Sequence, residues 1–191
     1  DTAQDIRKSI LDGSFSYCNK KTCPRIQSIP KGGDGILQRI EDVEDQHLLD
    51  IIKNKETKID SIKYVNFLWD LSCNLRCPSC RVSTILNTKG EAYENSLQIQ
   101  NKILDYALPL DNDLIFNITG SGDPFSSKVF RDFLTSFDGN KHPNVVINLQ
   151  TNGVMFTENM WEKMSLCHDN ISTVLISIDA ATETSGSFAI S

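Results

Sequence analysis

Two patterns of apolar spacing divide the chain near residue 62. Beyond it, short β-branched and aromatic runs alternate with segments of helical periodicity. The runs Tyr64–Leu71, Leu114–Thr119, Val145–Thr151 and Thr173–Asp179 predict strands. Between them, Tyr93, Leu97, Leu104 and Leu108 share one helical face, which Pro109 ends. Val129, Phe130, Phe133, Leu134 and Phe137 mark a second helix, and Met160, Trp161 and Met164 a shorter third. Strands alternating with helices at this interval predict βαβ units, a parallel sheet and right-handed crossovers.

Residues 1 to about 60 read differently. Ile6–Leu11 predicts a short helix ended by Gly13, and Pro30–Gly35 is turn-rich. Leu37–Lys55 is acidic and helix-compatible, with Ile40, Val43, Leu48, Leu49 and Ile52 near helical spacing. The expected organisation is a 1–60 N-terminal extension and linker, followed by a 61–191 core. The chain opens at Asp1 without a methionine and stops at Ser191, soon after the fourth predicted strand, so it reads as cut at both ends.

Counting by twos along each predicted strand selects one face. That face carries Asn66 and Asp70, Asn117 and Thr119, Asn148 and Gln150, and Ser177 and Asp179. Strands covered by helices on both faces would be nearly all apolar. A polar face that grows toward each strand's C-terminus predicts a barrel or partial barrel with a site at that end. A buried, internally satisfied polar network is the competing explanation.

Composition narrows the function. The 191 residues are 39% hydrophobic and 23% charged, ordinary for a globular protein. No apolar run approaches the roughly 18 residues of a membrane span, and no signal segment opens the chain. A net charge of −6 provides no electrostatic footprint for nucleic acid. The expectation is a cytoplasmic protein with neither a membrane nor a nucleic-acid partner. Six cysteines, Cys18, Cys23, Cys73, Cys77, Cys80 and Cys167, are too clustered in too long a chain for a disulfide framework.

Cys73, Cys77 and Cys80 form a C-x3-C-x2-C loop directly after the first predicted strand. Four thiolates close the shell of an iron–sulfur cluster, whereas three leave one iron of a [4Fe–4S] cube open for chemistry. Arg76 and Arg81 flank the loop, and positive charge there favours the thiolate form. Zinc is the alternative, with a fourth ligand from Cys167, His168, or one of Cys18 and Cys23. The preceding strand and the later motifs favour the cluster.

The stretch from about Lys63 to Asp179 resembles the N-terminal two-thirds of a radical S-adenosylmethionine (SAM) (β/α)6 partial barrel. The cysteine loop matches the family's cluster loop. Ser121-Gly122-Asp123-Pro124 is similar to its Gly-Gly-Glu-Pro stretch, and Gln150-Thr151-Asn152-Gly153 to its Thr-Asn-Gly strand ending. Ser177-Ile178-Asp179 lies where family members place polar contacts to SAM. The resemblance implies an α/β fold, a TIM-like (β/α)6 partial barrel truncated after about four strands. It implies a [4Fe–4S] cluster on Cys73, Cys77 and Cys80, with SAM near Ser79, Ser121, Gly122, Asp123, Gln150, Asn152, Ser177 and Asp179. An external donor's electron, passed through the cluster, would cleave SAM to methionine and a 5′-deoxyadenosyl radical, which abstracts hydrogen from a substrate. Two departures stand out. Ser79 replaces the aromatic or large apolar residue usual before the third cysteine, and Ser121 and Asp123 replace glycine and glutamate.

Gly13-Ser14-Phe15-Ser16-Tyr17-Cys18, followed by Cys23-Pro24, resembles the entry to a SPASM module, the auxiliary-cluster extension of radical SAM maturases. That resemblance implies a peptide substrate and a second metal site at Cys18 and Cys23. Two cysteines alone cannot hold an ordinary four-ligand cluster, so a zinc site and an unligated thiol pair remain open readings. Elsewhere, Cys167 reads as a buried small hydrophobe, Phe67 and Trp69 as core packing, and Asp70 as either a turn former or a partner of the cysteine loop. The alternative function is a non-catalytic iron–sulfur or zinc-binding fragment acting as an interaction module.

Overall fold

The computed structural model describes residues 2–27, 40–58, 62–78, 80–110, 112–118 and 122–178. The chain forms two compact units, Asp1–Asp60 and Ser61–Ser191.

In the first unit, α1 spans Thr2–Leu11, α2 spans Pro24–Gln27 and α3 spans Gln46–Asn54. The helix expected over Leu37–Lys55 is shorter. Residues 37–39 lie outside the described residues, and Ile40–Asp42 forms a 3-10 turn. Asp45 explains the late start. Its backbone is extended, and its carboxylate caps the helix by accepting from the Leu48 N–H at 3.1 Å. Lys55, in the left-handed region at φ 53°, closes α3. The expected Pro30–Gly35 turn lies outside the described residues.

The second unit runs β1 (Tyr64–Asn66), α4 (Glu91–Ala107), β2 (Leu114–Ile118), α5 (Lys128–Ser136), β3 (Val145–Thr151), α6 (Glu158–Lys163) and β4 (Ile171–Ile176). The four strands form one all-parallel sheet in chain order, so each crossover carries a helix. The fold is α/β. β3 has the expected bounds, but β1 is shorter than expected. After the Phe67 N–H donates to the Asn117 carbonyl at 2.9 Å, the chain leaves the sheet. β4 begins two residues earlier than expected, at Ile171, and Thr119 and Asp179 lie outside the described residues.

Helices and sheet meet on one face. Val65, Phe67, Leu114, Phe116, Ile118, Val145, Ile147 and Leu149 pack with Ala107 of α4, Val129, Phe130, Phe133 and Leu134 of α5, and Met160 of α6. Phe67 is fully buried, its ring centroid 4.6 Å from Trp69 and 5.2 Å from Phe133, as expected of core residues. At about 1.5–3 kcal/mol per fully buried large apolar side chain, this layer dominates the stability of the unit.

The opposite face keeps the polar residues that the pattern placed there. Asn66, Asn117 and Asn148 stand opposite one another in register. Asn148 Nδ2 donates to Asn117 Oδ1, and Asn117 Nδ2 donates to Asn66 Oδ1, each at 3.0 Å. Asn66 is exposed, and Asn117 and Asn148 are half-buried. The ladder is therefore not a network sealed inside the protein. It lies on the face opposite the one that packs with α4, α5 and α6.

Candidate functional site

Three loops leave the C-terminal ends of β1, β2 and β3, and parallel strands place those ends side by side. The β1 loop carries the cysteines. It folds back on itself where the Cys73 N–H donates to the Ile85 carbonyl at 2.8 Å, an isolated antiparallel bridge. Asp70 anchors its start. This buried carboxylate accepts from the Ser72 N–H (3.1 Å), Ser72 Oγ (2.9 Å), Asn87 Nδ2 (3.0 Å) and Ser127 Oγ (2.6 Å). Ser127 is also the N-cap of α5, accepting from the Phe130 N–H at 3.1 Å, so the cysteine loop is tied to that helix. Asp70 is thus both a turn former and a partner of the loop.

The β2 loop meets the cysteine loop backbone to backbone. The Asp123 N–H donates to the Ser72 carbonyl at 2.8 Å. Beside it, a Cβ on Gly122 would sit 2.4 Å from the Ser72 carbonyl oxygen, so only glycine fits that approach. Asp123 joins this loop to β3. It is 1% exposed, and its Oδ2 accepts from Thr151 Oγ1 at 2.7 Å and the Asn152 N–H at 2.9 Å. Its Oδ1 accepts from the Phe125 N–H (3.0 Å), the Ser126 N–H (3.1 Å) and Ser126 Oγ (3.3 Å). The resemblance gives this carboxylate a ligand amino group; here its oxygens are taken by the protein's own donors. Stacked Phe125 and Phe156 rings, 4.8 Å apart, brace the same two loops.

The side chains of Asn74, Ser126 and Asn152 complete the junction. Asn74 Oδ1 accepts from Ser126 Oγ at 2.6 Å and from Asn152 Nδ2 at 2.9 Å. Asn152 Nδ2 also lies 3.7 Å from Cys73 Sγ, which accepts the Leu75 N–H at 3.5 Å. Asn74, Ser126 and Ser127 were not singled out from sequence. Only Ser127 had a legible signal, an N-cap serine before the apolar run of α5.

The remaining expected residues are placed unevenly. Cys73 is buried, Cys77 half-buried and Cys80 exposed. The Cys77 carbonyl accepts the Cys80 and Arg81 N–H groups at 2.9 and 3.0 Å, making one tight turn. Arg81 donates to the Leu71 carbonyl at 2.7 Å and lies 3.6 Å from Cys80 Sγ. Gln150 Nε2 donates to Ser177 Oγ at 3.4 Å across β3 and β4. Ser79, Ser121 and Asp179 lie outside the described residues. Cys18 and Cys23 belong to the other unit, on a turn where the Cys23 N–H donates to the Asn19 carbonyl at 3.0 Å.

Among the described residues, no three His, Cys, Asp or Glu side chains are grouped closely enough to hold a metal ion. The donor chemistry nevertheless suits a cluster: three thiols on one loop, with N–H groups directed at two of the sulfurs.

Two residues weighed as zinc ligands are engaged elsewhere. Buried Cys167 directs its thiol at the Leu134 and Met164 carbonyls, both at 3.3 Å, and burial pushes its pKa up to about 11. His168 stacks on Trp161 at 3.9 Å, with Nε2 2.8 Å from the Trp161 carbonyl oxygen. No described helix is long and apolar enough to cross a membrane. No family model matches the chain, and searches of curated proteins and solved structures returned no match.

Proposed function

We propose that residues 61–191 are the front part of a radical SAM partial barrel, and that the protein performs reductive radical chemistry on a substrate at the C-terminal end of its sheet. One observation carries this reading. The cysteine loop, the Gly122–Pro124 turn and the Thr151–Gly153 turn, distant in sequence, are hydrogen-bonded into one junction that includes a cluster-loop sulfur. The one-sided helix layer and the open polar face fit the first strands of a (β/α)6 barrel whose interior is that face.

In this reading, Cys73, Cys77 and Cys80 hold a [4Fe–4S] cluster and leave one iron open. When bound, the cluster and SAM supply an electron-triggered cleavage whose 5′-deoxyadenosyl product abstracts hydrogen. The chain's own residues provide position and orientation. Asp70 anchors the start of the cysteine loop to Asn87 and to the cap of α5. Gly122 lets the second loop approach it, and Asp123 locks that loop to the end of β3. Ser79, Ser121, Asn152, Gln150, Ser177 and Asp179 are the proposed polar contacts to SAM. Asp123 acts by holding the turn. The partners are an external electron donor and a substrate, a peptide if Cys18 and Cys23 mark a SPASM-like module. The proposed compartment is the reducing cytoplasm.

The ungrouped thiols favour one second reading, a zinc-binding or iron–sulfur interaction module without catalysis. Anaerobic reconstitution with iron and sulfide, followed by SAM and dithionite, separates the two. The proposal expects about four irons per chain and 5′-deoxyadenosine, with both lost in a Cys73→Ala/Cys77→Ala/Cys80→Ala variant. Zinc uptake without 5′-deoxyadenosine, or a triple variant that keeps its iron and still cleaves SAM, overturns it.

A further inference from the structure

A second concave site lies on the helix-packed face of the sheet, beside β4, the last of its four strands. It is a hollow of about 460 Å3, within the size range of ligand pockets. Among the described residues, Phe156, Thr157, Glu158, Trp161 and Val174 line it. Two of them are aromatic walls set nearly at right angles. The Phe156 and Trp161 ring centroids are 5.9 Å apart, and their planes differ by 83°. Each wall is braced by a second ring: Phe125 stacks on Phe156 at 4.8 Å, and His168 stacks on Trp161 at 3.9 Å. Phe156, Trp161 and Val174 are only half-buried, so the corner is open to a ligand.

The lining selects the ligand's chemistry. Glu158 supplies the charge, and among the described residues no hydrogen bond or ion pair occupies its carboxylate. A cation within about 6 Å of a ring centroid is attracted by the ring quadrupole, and centroids 5.9 Å apart let one cation reach both walls. A primary ammonium would bring three N–H donors that need acceptors. Besides Glu158, the side-chain acceptor among these residues is Thr157 Oγ1, which already takes the Met160 N–H at 3.2 Å as the cap of α6. An alkylated ammonium has no N–H to leave unpaired. Its methyl groups match the apolar walls, and its charge matches the rings and the carboxylate.

We propose that this corner binds a small alkylated ammonium ion of the choline type, with Phe156 and Trp161 against its methyl groups and Glu158 balancing its charge. The site needs no cluster, and it stands or falls separately from the radical reading.

The test is a ligand-observed NMR titration of the full chain with choline and with its neutral isostere, the alcohol in which a tert-butyl group replaces trimethylammonium. Choline should bind at about millimolar concentration or below, and the isostere about tenfold more weakly. Glu158→Gln alters an exposed side chain that supports no bond in the fold. It should weaken choline binding about two- to fivefold and leave the isostere unchanged. Trp161→Leu keeps an apolar wall but removes the ring, and choline binding should fall about five- to tenfold. Should that variant fail to fold, the isostere and Glu158→Gln decide the matter. Equal binding of choline and the isostere identifies a purely apolar occupant and overturns the inference. So does a native chain that binds no choline at tens of millimolar, or a choline affinity that Glu158→Gln leaves untouched.

Discussion

Asp123 offers a measurement that separates a carboxylate supporting the fold from one reserved for a ligand. Its oxygens accept from the Phe125, Ser126 and Asn152 N–H groups and from the Ser126 and Thr151 hydroxyls. Hydroxyls can rotate to other acceptors, but backbone N–H groups cannot. In Asp123→Asn, one of the two acceptor positions becomes an NH2 that opposes at least the Asn152 N–H. An unpaired buried donor costs about 1–3 kcal/mol, and a hydrogen bond to a charged group contributes about 1.5–3 kcal/mol. The expected loss is therefore ~3 kcal/mol for Asp123→Asn. It is ~3–5 kcal/mol for Asp123→Ala, which strands the Phe125 and Asn152 N–H groups, while the Ser126 N–H keeps its bond to the Asp123 backbone carbonyl at 3.2 Å. Against a total of about 5–15 kcal/mol for a domain of this kind, either loss is large. Thr151→Val, which removes one donor to Asp123 and the acceptor of the Gly153 N–H, should cost about 1–3 kcal/mol. Urea unfolding of the metal-free protein, followed by Trp69 and Trp161 fluorescence, reads all three as changes in midpoint at constant slope. A loss under about 1 kcal/mol for Asp123→Ala would refute the reasoning, since a carboxylate kept for a ligand adds little to the unliganded fold.

Two further outcomes follow from local geometry. Gly122→Ala drives a methyl group to 2.4 Å from the Ser72 carbonyl oxygen and must separate the β2 turn from the cysteine loop. The expected cost is about 1–3 kcal/mol, read by urea unfolding; unchanged stability would contradict the close approach. Burial raises the Cys167 pKa from 9.0 to about 11, so the folded state holds this proton more tightly than the unfolded chain. That contribution to stability is complete below about pH 9 and is lost as pH rises toward 11. The native protein should therefore lose stability across this window relative to Cys167→Ala, as read by paired urea titrations; parallel curves would count against it.

The strands and helices of the second unit were legible because their spacing is local. Val145–Thr151 is a strand on its own evidence of alternation, and the apolar stripe of α5 needs no partner to be read. The edges were less legible where a side chain overrode the pattern. Asp70 takes the Ser72 N–H and fixes a turn within the stretch expected as strand, and Asp45 caps α3 within a stretch that looked continuously helical. In both cases, a short polar side chain offers the backbone a competing partner, and the outcome depends on which backbone groups lie within reach.

What the chain's order of residues settled unaided was the alternation of elements, the cysteine spacing and the polar face shared by the strands, since each depends on neighbours a few positions apart. The alignment of Asn66, Asn117 and Asn148 into a ladder and the enclosure of Asp70 and Asp123 by donors from other loops were decided only in three dimensions. So was the direction of the Asn152 amide toward Cys73. The reason is physical. A hydrogen bond depends on distance and direction within about 3 Å, and the parallel sheet alone brings those loop ends, dozens of residues apart, within that range.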